Sequence, residues 1–495
     1  MTAKHAIVVG AGAGGLAAGI DLARAGFRVT MLERAATPGG KMHTLEVDDR
    51  EVDGGPTVLT MRSIFEQLFA DAGTQLDQHL TLLESPIIAR HAWSHGGVLD
   101  LYPNLEHSRQ SIEAFAGSAD ASGFERFYSQ SAQIHQTLSE TFMTAPKPDP
   151  LTLVGRVLRR HHPSSLMAAR PAPDLWRALG TFFSDERLRQ LFARYATYVG
   201  SSPLSTPATL MLIAHVELEG VWLVDGGMNR LAAAMAGLGQ QLGIDLHLNT
   251  HVSEILVKRG KAAGVRLVDG TSLPADVVVF NGDTNALATG QLGQEATRAV
   301  RARPRQRRAL SALTWCIKGS SSGFKLDHHN VFFESNYPDE FHTIFEKRDV
   351  PAKPTVYLCA QDRGPNGSLN GSERLMMLVN APADGDQQTW ADDDVARIRD
   401  NALSVLERCG LNLSFNDEHC VSTTPTDWHG RFPGSGGSLY GGASHGIWSS
   451  FTRPGARSRL KGLYLSGGSV HPGPGVPMAT LSGRLAARAV VGDTT

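Results

Sequence analysis

The sequence of 495 residues predicts an α/β fold whose first domain is a parallel sheet wrapped by helices. Three observations predict it. A short apolar run at 5–9 leads straight into Gly10-x-Gly12-x-x-Gly15. A helical pattern and a second apolar strand ending at Glu33 come next. A strand, a glycine pair and a new helix then return at the far end, within 462–484.

Each element follows in order. His5 to Val9 reads as a buried strand and 16–25 as a helix. The segment 27–32 reads as the second strand of a βαβ unit. Gly10 permits the tight turn, Gly12 lets a pyrophosphate approach the backbone, and Gly15 lets the helix pack close to the sheet. Gly14 adds to the glycine-crowded turn. The helix N-terminus offers unpaired N–H groups and a positive dipole end to phosphates. Glu33, 23 residues after Gly10, stands where a carboxylate accepts ribose hydroxyls.

That motif alone does not separate NAD from FAD. The next segment does. Pro38-Gly39-Gly40-Lys41 follows the acidic strand, and Asp53-Gly54-Gly55-Pro56-Thr57 comes shortly after. FAD is long, and paired glycines let the backbone lie against it without Cβ clashes. The arrangement resembles the two-dinucleotide-binding-motif flavoproteins.

Composition bounds the remaining possibilities. Hydrophobic residues make up 41% and charged residues 19%, a globular composition, and the length implies two or three domains. A net charge of −2 gives no basic footprint for nucleic acid. The four cysteines form no C-x-x-C pair and match no zinc spacing, so no metal site is expected. The apolar stretch 6–20 is glycine-crowded and followed by Asp21 and Arg24, which suits a strand and helix and not a signal peptide. No segment reaches the roughly 18 apolar residues of a membrane span.

Residues 60–220 carry amphipathic segments, such as 64–72 and 186–198, and read as a mostly helical substrate-domain insertion. Its aromatics, Phe182, Phe183, Phe192, Tyr195 and Tyr198, are core or pocket lining. Within it, 151–160 (LTLVGRVLRR) places Leu151, Leu153, Val154, Val157 and Leu158 on one side and Arg156, Arg159 and Arg160 on the other. That is a basic amphipathic helix, suited either to a membrane interface or to packing on its own domain. Six arginines in 298–308 read as a solvated face that can also meet anionic lipid.

The chain then returns to the first domain. Residues 221–232 read as strand, glycine turn and helix, and 244–249 as a strand. The segments 252–258, 264–268 and 275–280 read as a small sheet closed by Asn281-Gly282-Asp283. The region 310–430 reads as a second lobe with no triad, metal cluster or phosphate loop. In the last block, Gly467-Gly468 follow a strand and a helix starts near Pro477, with proline suited to its first turn. The predicted division is 1–75, 221–290 and 456–495 as FAD-binding parts, 76–220 as helical and membrane-facing, and 291–455 as substrate domain.

Taken together, the chain resembles the carotenoid and phytoene desaturase family of FAD-dependent oxidoreductases over nearly its whole length. The marks are VVGAGAGGLAAGIDLARAG, LERAATPGGK, DGGPTVLT, GVWLVDGGMNRLAAAM, ADVVVFNGD and YLSGGSVHPGPGVPMATLSG. Phytoene desaturases look more like G-G-R-A where this chain has Gly39-Gly40-Lys41-Met42. They look more like H-P-G-A-G-I-P-G where it has 471–478. The segment ARYATYVGSSP (193–203) is similar to another branch, the 1-hydroxycarotenoid 3,4-desaturases, also called methoxyneurosporene dehydrogenases, of phototrophic bacteria.

The resemblance implies FAD contacts at Gly10, Gly12, Gly14, Gly15, Glu33, Arg34, Gly39, Gly40, Lys41, Gly55, Pro56 and Thr57. It adds a backbone contact to the adenine at Val252. At the reactive ring it implies Gly467, Gly468, Gly475, Val476, Pro477 and Met478. It further implies a hydrophobic carotenoid substrate and a peripheral position on the cytoplasmic side of the inner or photosynthetic membrane. The electron acceptor is left open between a quinone and oxygen. No catalytic acid or base is assigned, and His471 reads as a structural turn residue. The alternatives are a phytoene desaturase, an amine-oxidase-like flavoenzyme, and a non-redox escort of prenylated partners on the same fold. The HPGPGVP block argues against the amine oxidase, and glycine cradles at both ends argue against the escort.

Overall fold

The computed structural model describes residues 3–163, 165, 174–365, 367 and 371–494. Its first lobe is built on a five-stranded parallel sheet, in the order Leu463–Leu465, Val277–Phe280, His5–Val9, Arg28–Leu32, Asp245–His247. Three distant stretches of chain therefore share one sheet. In register, Ile7 lies between Val278 and Thr30.

Both faces of this sheet are covered, which is why its strands read as continuous apolar runs. Ala6, Val8, Met31, Val277, Val279 and Tyr464 face helices that include Ala13–Arg24, Asn229–Gln241 and Val476–Thr494. Ile7, Leu32, Val278, Phe280, Leu463 and Leu465 face a three-stranded antiparallel sheet, Val252–Lys258, Lys261–Leu267 and Ser272–Pro274. The segment 275–280, expected as part of that small sheet, is instead a central strand of the large one. All four of Val277–Phe280 are buried, as a strand covered on both sides requires.

The second lobe is an eight-stranded mixed sheet. It runs Asn412–Ser414, Ser311–Ser322, Glu373–Ala381, Val356–Ala360, His329–Phe333, Ala89–Trp93, Val98–Leu101, with Cys420–Thr423 also on Ser311–Ser322. The insertion is thus less purely helical than its sequence suggested, because two strands from 89–101 extend this sheet. The rest of the insertion is helical and encloses an aromatic core. Phe127 and Phe192 lie 4.6 Å apart, centroid to centroid, and Phe183 stacks on Phe192 at 4.8 Å.

The helix expected at 151–160 forms as Pro150–Arg160, capped by the Asp149 carboxylate accepting from the Thr152 amide at 3.0 Å. Only Val157 of its apolar side is buried. Leu151, Val154 and Leu158 are 84%, 39% and 47% exposed. Among the described residues, no helix is long and apolar enough to cross a membrane.

The arginine run at 298–308 is not a simple solvated face. Arg303 pairs with Asp283 at 3.2 Å, Arg305 with Asp384 at 2.6 Å and Arg308 with Asp386 at 2.6 Å. The acids that hold these side chains lie far away in sequence, so local charge patterning could not reveal them.

Candidate active site

A cavity of about 400 Å³ opens between the two lobes. Its first-lobe wall consists of glycine-rich turns from four parts of the chain, around Gly12, Gly39–Gly40, Gly54–Gly55 and Gly467–Gly468, joined by 474–477 at the start of the last helix. Gly39 bridges to Gly12, and its amide donates to the Ala11 carbonyl at 2.8 Å, so the second glycine pair is docked on the first.

These glycines differ in what they are for. A Cβ on Gly15 would fall 2.0 Å from the Gly10 carbonyl, and one on Gly55 would fall 1.8 Å from the Lys41 carbonyl, so both positions are fixed by backbone packing. A Cβ on Gly483 would meet the Gly14 carbonyl at 2.0 Å, which is how closely helices Ala13–Arg24 and Val476–Thr494 approach. Gly12 is different. Its backbone is ordinary extended chain (φ −75°, ψ 174°), and an added Cβ would meet only the side-chain amide of Asn281. What demands glycine there is whatever approaches from the cavity.

Charge is concentrated at this wall. Lys41 is half-buried, with Nζ donating to the Leu439 carbonyl and lying 5.2 Å from the Phe432 ring centre. Burial pushes its pKa down to about 8, only partly opposed by Asp283. The Asp283 side chain is more deeply set, at 8% exposed. Desolvation alone would raise its pKa, but the Arg303 guanidinium, the Asn285 amide and Lys41 hold it below the usual carboxylate value. Arg453 donates to the carbonyls of Gly442 at 2.7 Å, Gly468 at 3.0 Å and Tyr440 at 3.2 Å, tying the 467–468 turn to the 440–442 loop.

The other wall comes from the insertion and the second lobe. Ile213, Val216, Met376 and Leu378 give it apolar surface, with Trp428, Phe432 and Tyr440 beside them. A polar group interrupts this surface. Arg194 donates to the Tyr198 hydroxyl at 3.2 Å, and its guanidinium lies over the rings of Tyr198 and Tyr357 at 5.2 and 5.6 Å. Tyr198 donates to Glu217 at 2.6 Å, and Tyr195 donates to the same carboxylate. Burial raises the Glu217 pKa while these donors oppose it. Tyr357 shares hydrogen bonds with Thr57 at 2.6 Å and His329 at 2.7 Å. Glu340, just outside the wall, accepts from the Thr355 hydroxyl at 2.6 Å and from Asn380 at 3.1 Å.

Of the residues predicted from sequence, Gly12, Gly14, Gly39, Gly40, Lys41, Gly55, Pro56, Thr57, Gly467, Gly468, Gly475, Val476 and Pro477 line this one cavity. Gly10, Gly15, Glu33, Arg34, Val252 and Met478 are not on its wall. Glu33 sits at the adjoining edge, where its carboxylate accepts from the amides of Ala11 at 2.7 Å and Ala35 at 2.9 Å. Arg34 donates to the Gly430 carbonyl at 2.5 Å. Val252 is packed with Leu32 and Val278 in the core beneath the sheet. His471 is buried off the cavity, bonded to the Ala145 carbonyl at 3.0 Å and edge-on to Phe142, and burial lowers its pKa to about 4.

Sequence reasoning missed Arg194, Glu217, Tyr337 and Tyr357 as cavity neighbours, because four separate elements bring them together. In the segment 193–203, Tyr195 and Tyr198 read from sequence as core or pocket lining, but Arg194 stands only within a mark of family branch. The structure also groups His328, His329 and Cys359, whose ligand atoms lie within 4.8 Å of one another. Both Nδ1 atoms are already engaged, at the Arg363 carbonyl and the Tyr357 hydroxyl.

The chain matches the model of the flavin containing amine oxidoreductase family over residues 13–491, and it belongs to that family. Hydroxyneurosporene desaturase of Rubrivivax gelatinosus is 46% identical over 98% of this chain and 93% of its own length. The protein of that name from Cereibacter sphaeroides is 44% identical over 98% of this chain and 97% of its own. Among solved structures, cyclohexylamine oxidase from Brevibacterium oxydans superposes with a TM-score of 0.58 over 99% of both chains at 15% identity, a likeness of fold.

The cofactor is FAD, and the residues present fit it. Gly12 has a glycine that only an approaching ligand explains. Two helices begin at the cavity wall, and a half-buried lysine stands beside them, which suits a diphosphate. Glu33 keeps lone pairs for hydroxyls beyond the two amides it accepts.

Proposed function

We propose that this protein is an FAD-dependent carotenoid desaturase that introduces the C-3,4 double bond into 1-hydroxy- or 1-methoxycarotenoids while resting on a membrane surface. The observation that carries this reading is near-full-length identity of 46% to a hydroxyneurosporene desaturase, joined to a cavity with a glycine cradle on one wall and an apolar wall opposite.

The reaction removes a hydride and a proton from a CH₂–CH₂ unit beside a polyene. When bound, FAD supplies the hydride acceptor. The chain's own residues bind, align and keep out water. The glycine turns and Lys41 hold the cofactor, with Asp283, Arg303 and Arg453 fixing the shape of that wall. Ile213, Val216, Met376 and Leu378 offer a hydrocarbon the contact it needs, and positioning supplies much of the catalysis where the substrate has almost no polar handle. Positive charge developing next to a polyene is delocalised and acidifies the neighbouring C–H, so a weak base such as a water molecule suffices to carry the proton away to solvent.

The membrane part rests on exposed apolar side chains. Leu151 and Leu158 project from a helix that ends in Arg159 and Arg160. Nearby, Trp448 is 60% and Ile447 44% exposed. Trp448 connects to that helix's neighbourhood through Phe451 and Phe142, with ring centres 6.2 Å apart at each step. A basic amphipathic helix beside an exposed tryptophan suits the interface of an anionic leaflet. From there the enzyme takes a lipid-soluble substrate and passes electrons to a quinone or to oxygen.

The test is anaerobic mixing of purified protein, in liposomes, with 1-hydroxyneurosporene or with phytoene. The expected result is bleaching of the oxidised flavin band and a red shift of the hydroxycarotenoid spectrum, with phytoene inert. Reaction of phytoene instead moves the protein to another branch of the family, and absence of bound flavin defeats the reading altogether.

A further inference from the structure

The insertion and the second lobe bring a second kind of chemistry to the cavity. Tyr337 opens the short helix Tyr337–His342 and is 3% exposed. Its ring packs edge-on against Phe341 at 4.9 Å and Phe333 at 6.0 Å, and tilted against Trp176 at 6.2 Å. A phenylalanine would make the same packing. The residue lines the cavity, however, and its buried hydroxyl has no hydrogen-bond partner. Leaving a buried hydroxyl unpaired is destabilising by about 1–3 kcal/mol, so its presence calls for a partner that arrives with the ligand.

Arg194 supplies the complement. It lines the same cavity and donates to Tyr198, which is itself bonded to Glu217. Its charge is felt at Tyr337, whose burial, reinforced by Glu340, keeps the phenol neutral and able to donate. The group therefore brings two N–H or O–H donors to the cavity that Ile213, Val216, Met376 and Leu378 also line. A hydrocarbon gains nothing from that. An oxygen atom on a hydrocarbon does.

We infer that Arg194 and Tyr337 form an oxygen-recognising subsite that binds the terminal hydroxyl or methoxy oxygen of the carotenoid and sets specificity for oxygenated over unsubstituted polyenes. The inference rests on the desaturase reading above. In the substrate, an oxygen on C1 is three bonds from C3. A handle that close to the reacting carbons fixes which bond lies in place. Both residues act by donating to the oxygen, so a hydroxyl and its methyl ether are both accepted. A buried site built around such donors rejects the analogue lacking the oxygen, because the donors are then left unpaired.

The test compares 1-hydroxyneurosporene with neurosporene, the same polyene without the oxygen, on the flavin-loaded protein in liposomes. Two hydrogen bonds predict that wild type favours the hydroxylated substrate about 100-fold in kcat/KM. Tyr337→Phe is expected to lower kcat/KM on 1-hydroxyneurosporene about tenfold relative to neurosporene and to raise the thermal midpoint of the ligand-free protein, because the unpaired hydroxyl is gone. Arg194→Lys, which keeps the charge and loses the planar fork, is expected to narrow the preference in the same direction. Equal losses on both substrates in Tyr337→Phe mean a packing role and overturn the subsite. Equal wild-type turnover of the two polyenes overturns it too, while leaving the desaturase standing. Failure of both polyenes to bind or react defeats both readings together.

Discussion

Gly12→Ala separates a glycine kept for packing from one kept for a ligand. At this position the backbone is ordinary, at φ −75° and ψ 174°, so alanine introduces no conformational strain. The one neighbour a Cβ would crowd is the Asn281 amide, at 2.9 Å, the end of a side chain that can swing. The fold should therefore absorb the methyl for less than about 1 kcal/mol. The cavity cannot absorb it if a diphosphate lies against the Gly12 backbone. Losing one charge-assisted hydrogen bond there costs about 1.5–3 kcal/mol, or roughly 10- to 100-fold in FAD affinity. The assay is titration of cofactor-free protein with FAD, read by flavin fluorescence, beside thermal unfolding without FAD. Gly15→Ala is the contrasting variant. Its Cβ would sit 2.0 Å from the Gly10 carbonyl, so it should unfold more easily with or without cofactor. If Gly12→Ala binds FAD as tightly as wild type, the close approach of the dinucleotide to this turn is wrong. If its cofactor-free form is as unstable as Gly15→Ala, the glycine serves packing.

Three further outcomes are expected. Lys41 has a folded pKa of about 8 against an ordinary 10.5, so between those values the unfolded chain holds more protons. Stability of the cofactor-free protein should then rise with pH across that window, and FAD affinity should fall by up to about tenfold per pH unit above 8. Both dependences should vanish in Lys41→Met, as urea unfolding and FAD titration against pH will show. Asp283 has its pKa held down, so its stabilising effect is present at neutral pH and is lost as pH falls through its folded value. Asp283→Asn leaves Arg303 and Lys41 uncompensated and should cost about 3–5 kcal/mol in urea unfolding at pH 7. The double substitution Leu151→Glu with Leu158→Glu, at side chains 84% and 47% exposed, should abolish sedimentation with anionic phospholipid vesicles without moving the unfolding midpoint.

Much of the first lobe was legible because its signals are local. The turn from Gly10 to Gly15, the acid at Glu33 and the returning glycines at 467–468 each announce themselves within a few residues. What escaped was what distance assembles. Val277–Phe280 has an apolar pattern that fits either sheet, and only its neighbours His5–Val9 and Leu463–Leu465 decide where it goes. Of the arginines of 298–308, Arg298, Arg301, Arg305 and Arg307 are exposed as the sequence suggested, but the pairing of Arg305 and Arg308 with Asp384 and Asp386 was hidden because those acids lie in another part of the chain. Tyr337 carries no sequence signal at all. It is one more aromatic in an aromatic region, and only the unpartnered hydroxyl distinguishes it.

The order in which the parallel sheet is assembled has a consequence for synthesis. Ala6 pairs with Val277, and Val278 pairs in turn with Leu463, so the sheet joins strands that leave the ribosome far apart in time. Such non-local pairing folds slowly. Until Leu463–Leu465 and the helix Val476–Thr494 emerge, the run Val277–Phe280 presents an unpaired, fully apolar edge, the kind of edge that invites aggregation. The nascent chain should therefore need shielding from the emergence of Val277–Phe280 until Leu463–Leu465 follows, and the flavin cradle is complete only when translation is almost finished.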